Sequence, residues 1–217
     1  MMPRNETRNI AHASSSVCSD SGSLRARLER LSRTRANARA GLIADAAVSL
    51  ALFAFGVSRP GTSPLLAAAT IASGLLLFTL VEYVIHRWLF HGAAGTAEAG
   101  HRKHHEDPAG NDALPFFLPP LGMLALAALL MLVLQPAIAL FLAAAIAAGY
   151  AAYGISHTAM HRLRFRLPVL LRWAAYHHIH HHHPERNFGV TTPLWDYVLG
   201  TRYLRARQAA AAPQNGR

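Results

Sequence analysis

Cysteine is almost absent: Cys18, in a Ser-rich polar stretch, is the only one in 217 residues. A lone thiol excludes an internal disulfide framework and any cysteine-ligated zinc or iron–sulfur centre. Charge is scarce too, at 15% of residues, where an ordinary soluble domain carries roughly 25%. Acidic residues are the scarcer sign, 11 against 21 Lys and Arg, which leaves a net charge of +10. Arginines that flank apolar stretches suit an anionic membrane surface. They do not suit nucleic acid, because no folded basic motif with interleaved aromatics accompanies them. An HExxH motif is also missing, and with it the carboxylate base that a zinc hydrolase of that type needs.

What the chain has instead is apolar length and histidine. Half of it is apolar. Residues 1–40 are rich in Arg, Ser and Asn and bury too little to fold alone, so they read as a basic disordered cytoplasmic tail. Within them, Arg25 to Arg39 has the composition of a basic helix lying on a bilayer surface. Residues 41–204 form the membrane-bound domain, and 205–217 a flexible C-terminal tail. Four spans are expected: Leu42–Val57, which contains Asp45; Leu65–Ile85; Phe116–Leu134; and Ala137–Ile155. Only Gln135 and Pro136 separate the last two, so they pair as an antiparallel hairpin. The run from Ala125 to Leu134 has no polar face, which favours a membrane over a soluble bundle.

Basic residues set the orientation. The N-terminal tail, the segment with Arg87, Arg102 and Lys103, and the segment with Arg162, Arg164, Arg166 and Arg172 all fall on one side of a four-span chain. The positive-inside rule makes that side the cytoplasm, so both termini and every histidine from His86 onward face it. The Ala- and Arg-rich composition points to a bacterial inner membrane, with the endoplasmic reticulum as the alternative.

The histidines come in four clusters: His86 and His91; His101, His104 and His105; His157 and His161; and His177, His180 and His181. Spacings of three and four put imidazoles on one face of a helix. Snorkelling side chains or a low-complexity tract would explain one such cluster, but not four on one predicted side. Nitrogen ligands alone suit zinc, iron, copper or nickel. Ten of them exceed the needs of one tetrahedral ion and imply two metals. Two redox-active metals beside an acyl chain point to attack by dioxygen on an unactivated C–H bond. Glu82, four residues before His86, and Asp196 are candidate acceptors for ligand imidazoles; an arginine pair for Glu82 and a turn cap for Asp196 are the plainer roles. Tyr83, Trp88, Trp173 and Trp195 read as interfacial anchors.

The motifs HRWLFH from His86, HRKHH from His101, HTAMH from His157 and the final HxxHH followed by NFGVTTPLWD resemble the fatty acid hydroxylase and sterol desaturase superfamily of integral-membrane di-iron oxygenases. EYVIHRWLFH and FGVTTPLWDYVLGT are most similar to its fatty acid and sphingolipid 2-hydroxylase branch, over about Leu75 to Tyr203. The resemblance implies an all-α integral membrane fold of four transmembrane helices with a cytosolic helical cap holding a dimetal site. It implies two iron ions, for which zinc substitutes in purified protein, on His86, His91, His101, His104, His105, His157, His161, His177, His180 and His181. A second register through His178, His181 and His182 also fits HxxHH. It implies further a lipid substrate, dioxygen and two electrons, which a separate carrier of cytochrome b5 or ferredoxin type must bring, since no haem or flavin domain is visible here. A sterol, hopanoid or carotenoid substrate, and a non-catalytic metal-binding membrane protein, are the alternative readings.

Overall fold

The computed structural model describes residues 23–111 and 113–204, and the expected tails at 1–22 and 205–217 lie outside the described residues. Every regular element among the described residues is helical. Helix α1 (Leu24–Ser32) and helix α2 (Arg35–Val57) occupy most of the remaining N-terminal basic stretch, and the Ser23 and Thr34 side chains cap them by accepting N–H bonds from Ala26 and Asn37. The basic stretch is thus helical from Leu24, and the first long helix starts seven residues before the expected Leu42. Asn37 ties that helix to the chain before the third apolar run: its Nδ2 donates to the Leu114 carbonyl (2.9 Å) and its Oδ1 accepts from the Phe116 N–H (2.9 Å).

Helix α3 (Pro64–Val84) starts on a Ser63 cap with proline in its first turn, where a missing N–H costs nothing. It runs without a break into a π-helical turn, Ile85–Phe90. Helix α4 (Thr96–Glu106), helix α5 (Leu118–Leu130), helix α6 (Pro136–Arg162), helix α7 (Pro168–His182) and the short α8 (Leu194–Val198) follow.

Three helical stretches are long and apolar enough to cross a membrane: Arg35–Val57, Pro64–Phe90 and Pro136–Arg162. The chain is an integral membrane protein, but the expected third span is only the 13-residue α5. At 1.5 Å per residue, α5 reaches about 20 Å against a hydrocarbon core of about 30 Å. Pro119 and Pro120 confine its start, and residues 131–134 leave the helix in turns before Pro136 opens α6.

Helix α6 is the central element, half buried where α2 and α3 keep most of their surface outward. Its alanines explain this. Ala143, Ala144 and Ala147 pack with Val48 and Leu52 of α2 and Ala127 of α5, and the Ser49 hydroxyl donates to the Ala144 carbonyl (3.0 Å). Small residues let backbones approach where hydrocarbon offers no hydrophobic drive. Gly149 receives the Phe78 ring and Gly74 receives Ala145, so α3 and α6 run in close contact. Both helices carry histidines at their C-terminal ends, and this contact sets the distance between them.

Candidate metal centre

Four helical pieces deliver ten histidines to one place, in two groups of five: His86, His91, His101, His105 and His180; and His104, His157, His161, His177 and His181. We call them the π-turn group and the α6 group. Within each, one ring nitrogen per residue lies within 4.8 Å of all the others.

The local backbone explains the membership. His86 and His91 are five apart, which on an α-helix would leave them about 140° from each other. The π turn bonds i to i+5 and brings the fifth residue back above the first. On α6, His157 and His161 are a regular i, i+4 pair. Helix α4 splits its triplet, with His101 and His105 turned to the π-turn group and His104 to the other. Helix α7 does the reverse, giving His180 to the first and His177 and His181 to the second. Neither triplet serves a single group. The groups adjoin where His105 stacks on His181, with ring centroids 4.3 Å apart.

The donor atoms converge closely. His101 Nε2 lies 3.1 Å from His86 Nε2, 3.0 Å from His91 Nε2 and 3.0 Å from His105 Nε2, and His91 Nε2 is 3.0 Å from His180 Nε2. In the α6 group, His177 Nε2 is 2.9 Å from His161 Nε2 and 3.1 Å from His181 Nε2. His86 and His180 donate Nδ1–H to the Phe188 and Arg186 carbonyls, so their Nε2 atoms carry bare lone pairs. His101 has at most one proton to share among three neighbours. A cation between the nitrogens resolves the crowding. Two nitrogens each about 2.1 Å from a metal stand about 3.0 Å apart at 90° and about 3.4 Å apart at the tetrahedral angle. The observed spacing therefore fits cis positions around an ion with more than four ligands.

Burial holds these imidazoles neutral and ready to ligate. It pushes His91 down to about 4. Burial first and then the neighbouring rings push His180 and His181 down to about 2, and His101 and His177 below the ordinary histidine range. An unfolded chain takes up these protons near pH 6.5 and the folded one does so only at lower pH. Their contribution to stability is therefore complete above pH 6.5 and is lost as the pH falls, down to about 4 for His91 and on toward 2 for His180 and His181. The metal-free protein should unfold at progressively lower temperature from pH 7 to 6 to 5 in detergent. An unchanged transition would mean that these rings are already protonated or exposed.

His178 and His182, from the alternative register, are exposed and outside both groups; His178 Nε2 faces the Met160 carbonyl at 3.1 Å. Among the described residues, Glu82 and Asp196 make no direct bond to a histidine and instead grip the loop after α7. Three of the four expected interfacial aromatics hydrogen-bond within the protein, one of them fully buried and two half-buried. Tyr83 is fully buried and donates to Thr201 Oγ1 (2.9 Å), Trp173 Nε1 donates to the Val190 carbonyl (3.0 Å), and Trp195 Nε1 donates to Thr79 Oγ1 (3.0 Å). Trp88 stays exposed, with the Arg87 guanidinium 5.0 Å over its ring. Asn187, which opens the NFGVTTPLWD motif, is buried at φ 55°, a backbone that Asn tolerates better than most residues. A groove of about 390 Å³ opens beside His91, lined also by Arg87, Trp88, Pro184, Glu185 and Phe188.

Residues 71–201, which include all ten histidines, match the family profile for fatty acid hydroxylase. The chain belongs to the fatty acid hydroxylase family. It is 34% identical over 142 residues to the dihydroceramide fatty acyl 2-hydroxylase FAH2 of Arabidopsis thaliana, covering 60% of this chain and 59% of that one. It is 33% identical over 142 residues to the fatty acid 2-hydroxylase of Rattus norvegicus, covering 59% and 38%. The solved structure of full-length scs7p, in which only the hydroxylase domain is visible, aligns at a TM-score of 0.69 with 26% identity, over 82% of this chain and 70% of that one. This family member thus spans under two thirds of the plant relative and under half of the rat one.

Proposed function

We propose that this chain hydroxylates a C–H bond of a lipid acyl chain, of a fatty acid or sphingolipid, with one iron ion held by each five-histidine group. The observation that carries the reading is the pair of five-nitrogen groups, adjoining at the ends of apolar helices, in a member of the fatty acid hydroxylase family. Two iron ions in place would supply oxidation of an unactivated C–H bond, one oxygen atom of dioxygen entering the product and the other leaving as water, with two electrons and two protons from outside.

The chain's own residues have other tasks. The ten imidazoles hold the ions and offer no nucleophile. The Phe188 and Arg186 carbonyls fix the tautomers of His86 and His180. The groove beside His91 gives a lipid a route to the site: Trp88 and Phe188 offer apolar walls, and Arg87, itself held by donating to the Tyr83 hydroxyl (2.9 Å), offers a cation to the polar end. Helix α5 with its flanking apolar residues 116–117 and 131–134 completes four membrane passes. The basic residues beside the histidine-bearing ends favour the cytoplasmic face for the site and its helical cap, and the Ala- and Arg-rich composition favours a bacterial inner membrane. A separate cytochrome b5 or ferredoxin type protein supplies the electrons.

Protein expressed in iron-supplemented medium should carry about two irons per chain, one for each nitrogen-rich group. Cells with the gene should accumulate hydroxylated acyl lipids that cells without it lack, as read by mass spectrometry. The purified protein with lipid and dioxygen should stay silent until a reduced carrier is added. One tightly held zinc with an unchanged lipid profile would overturn the reading, and a modified sterol, hopanoid or carotenoid would replace its substrate.

A further inference from the structure

The two histidine groups differ in what stands behind them. In the π-turn group, His86 donates Nδ1–H to the Phe188 carbonyl (2.5 Å) and His180 donates to the Arg186 carbonyl (2.7 Å). Both acceptors belong to one loop, residues 186–191. Two buried carboxylates grip that loop from outside the histidine cluster. Glu82 Oε1 accepts the N–H groups of Val190 (2.6 Å) and Thr191 (3.0 Å), and its Oε2 accepts the Thr191 hydroxyl (2.5 Å). Asp196 Oδ1 accepts the Phe188 N–H (2.8 Å) and the Thr201 hydroxyl (2.7 Å), and its Oδ2 accepts the Gly189 N–H (2.8 Å). Phe188 is therefore held by its N–H while its carbonyl is presented to His86. A side chain at Gly189 would strike the Thr192 carbonyl, so the loop has no room to settle differently.

Two imidazoles of the α6 group have no such backing. The Nδ1 atoms of His177 and His181 are buried with no hydrogen-bond partner among the described residues. A partner on the second ring nitrogen fixes tautomer and ring orientation, and its loss typically weakens metal binding by about 10–100-fold.

We infer that the two groups hold metal unequally, the π-turn group more tightly, and that Glu82 and Asp196 are its positioning residues, acting through the 186–191 loop. The inference rests on the metal-holding reading above. The full chain, loaded anaerobically with ferrous iron, is competed with a ferrous chelator and release is followed. Two phases of one iron each are expected, about 10–100-fold apart in affinity. His101→Ala should remove the tight phase and His177→Ala the weak one. Glu82→Gln and Asp196→Asn turn an amide NH2 toward backbone donors; each should weaken the tight phase by about 10-fold or more and leave the weak phase where it was. Thr191→Val, which removes one bond to Glu82 and keeps the side-chain shape, should do so more mildly, and it serves if the carboxylate variants misfold.

Two equivalent irons would overturn the inference while leaving the proposed function intact, as would variants that weaken both phases alike, the mark of a general loss of fold. A wild-type chain that binds no iron would overturn both.

Discussion

His180→Ala should empty the π-turn group and abolish hydroxylation, whereas His178→Ala and His182→Ala should retain metal and activity. His180 is fully buried; its Nε2 meets His91 Nε2 at 3.0 Å and its Nδ1 is fixed by the Arg186 carbonyl. Removing it takes one donor from the set and leaves that carbonyl without its imidazole. The loss should exceed the roughly 10–100-fold typical of an outer partner alone, so a fall in product formation on the order of 100-fold or more is expected, with about one iron fewer per chain. His178 and His182 each lie two residues away but are exposed and outside both groups. Iron content by mass spectrometry and product by lipid analysis separate the three variants. Equal damage at His178 would mean that α7 presents the other register to the metals.

Gly149→Ala is expected to be strongly damaging for the change of a single methyl, although it adds a good helix former. Its new Cβ would fall among the ring atoms of Phe78, in the contact between α3 and α6. Overpacking of this kind costs about 1–3 kcal/mol and occasionally more. The same contact carries the site, because α3 leads through Glu82 to His86 and α6 leads to His157 and His161. Forcing the helices apart should lower iron retention together with the unfolding temperature in detergent. Phe78→Leu should restore part of what Gly149→Ala removes, so that the double variant is more stable than the sum of the two changes predicts. Additive losses would mean that the clash is relieved elsewhere.

The convergence of the ten histidines was largely legible in the sequence because it is written in helical spacings. Triplets at three and four residues and an i, i+4 pair need only an α-helix to converge, and the registers at His101 and His177 deliver all six of those imidazoles. What spacing cannot reveal is which group each ring joins. His104 and His105 are adjacent in the chain yet turn to different groups, and so do His180 and His181; only the placing of α4 against the π turn and of α7 against α6 decides this. The roles of Glu82 and Asp196 were half legible. Their place near the histidine motifs was readable, but most of their contacts are to backbone N–H groups of one loop, which have no sequence signature. The same holds for Tyr83, Trp173 and Trp195, whose polar tips find acceptors within the protein that composition does not reveal. The shortness of α5 escaped because hydropathy counts apolar residues and not helical ones: residues 131–134 are as apolar as the helix they follow.

The π turn at Ile85–Phe90 makes the spacing between His86 and His91 a frame, in the way that a reading frame is one. A chain with one residue deleted between them would place the two histidines four apart, where an unbroken α-helix already aligns them and the wide turn is no longer needed. A chain with one residue added would have no common helix to serve both. Tolerance at this joint is thus one-sided: it accepts shortening and refuses lengthening, even though it sits at the end of a membrane helix where length alone would seem immaterial.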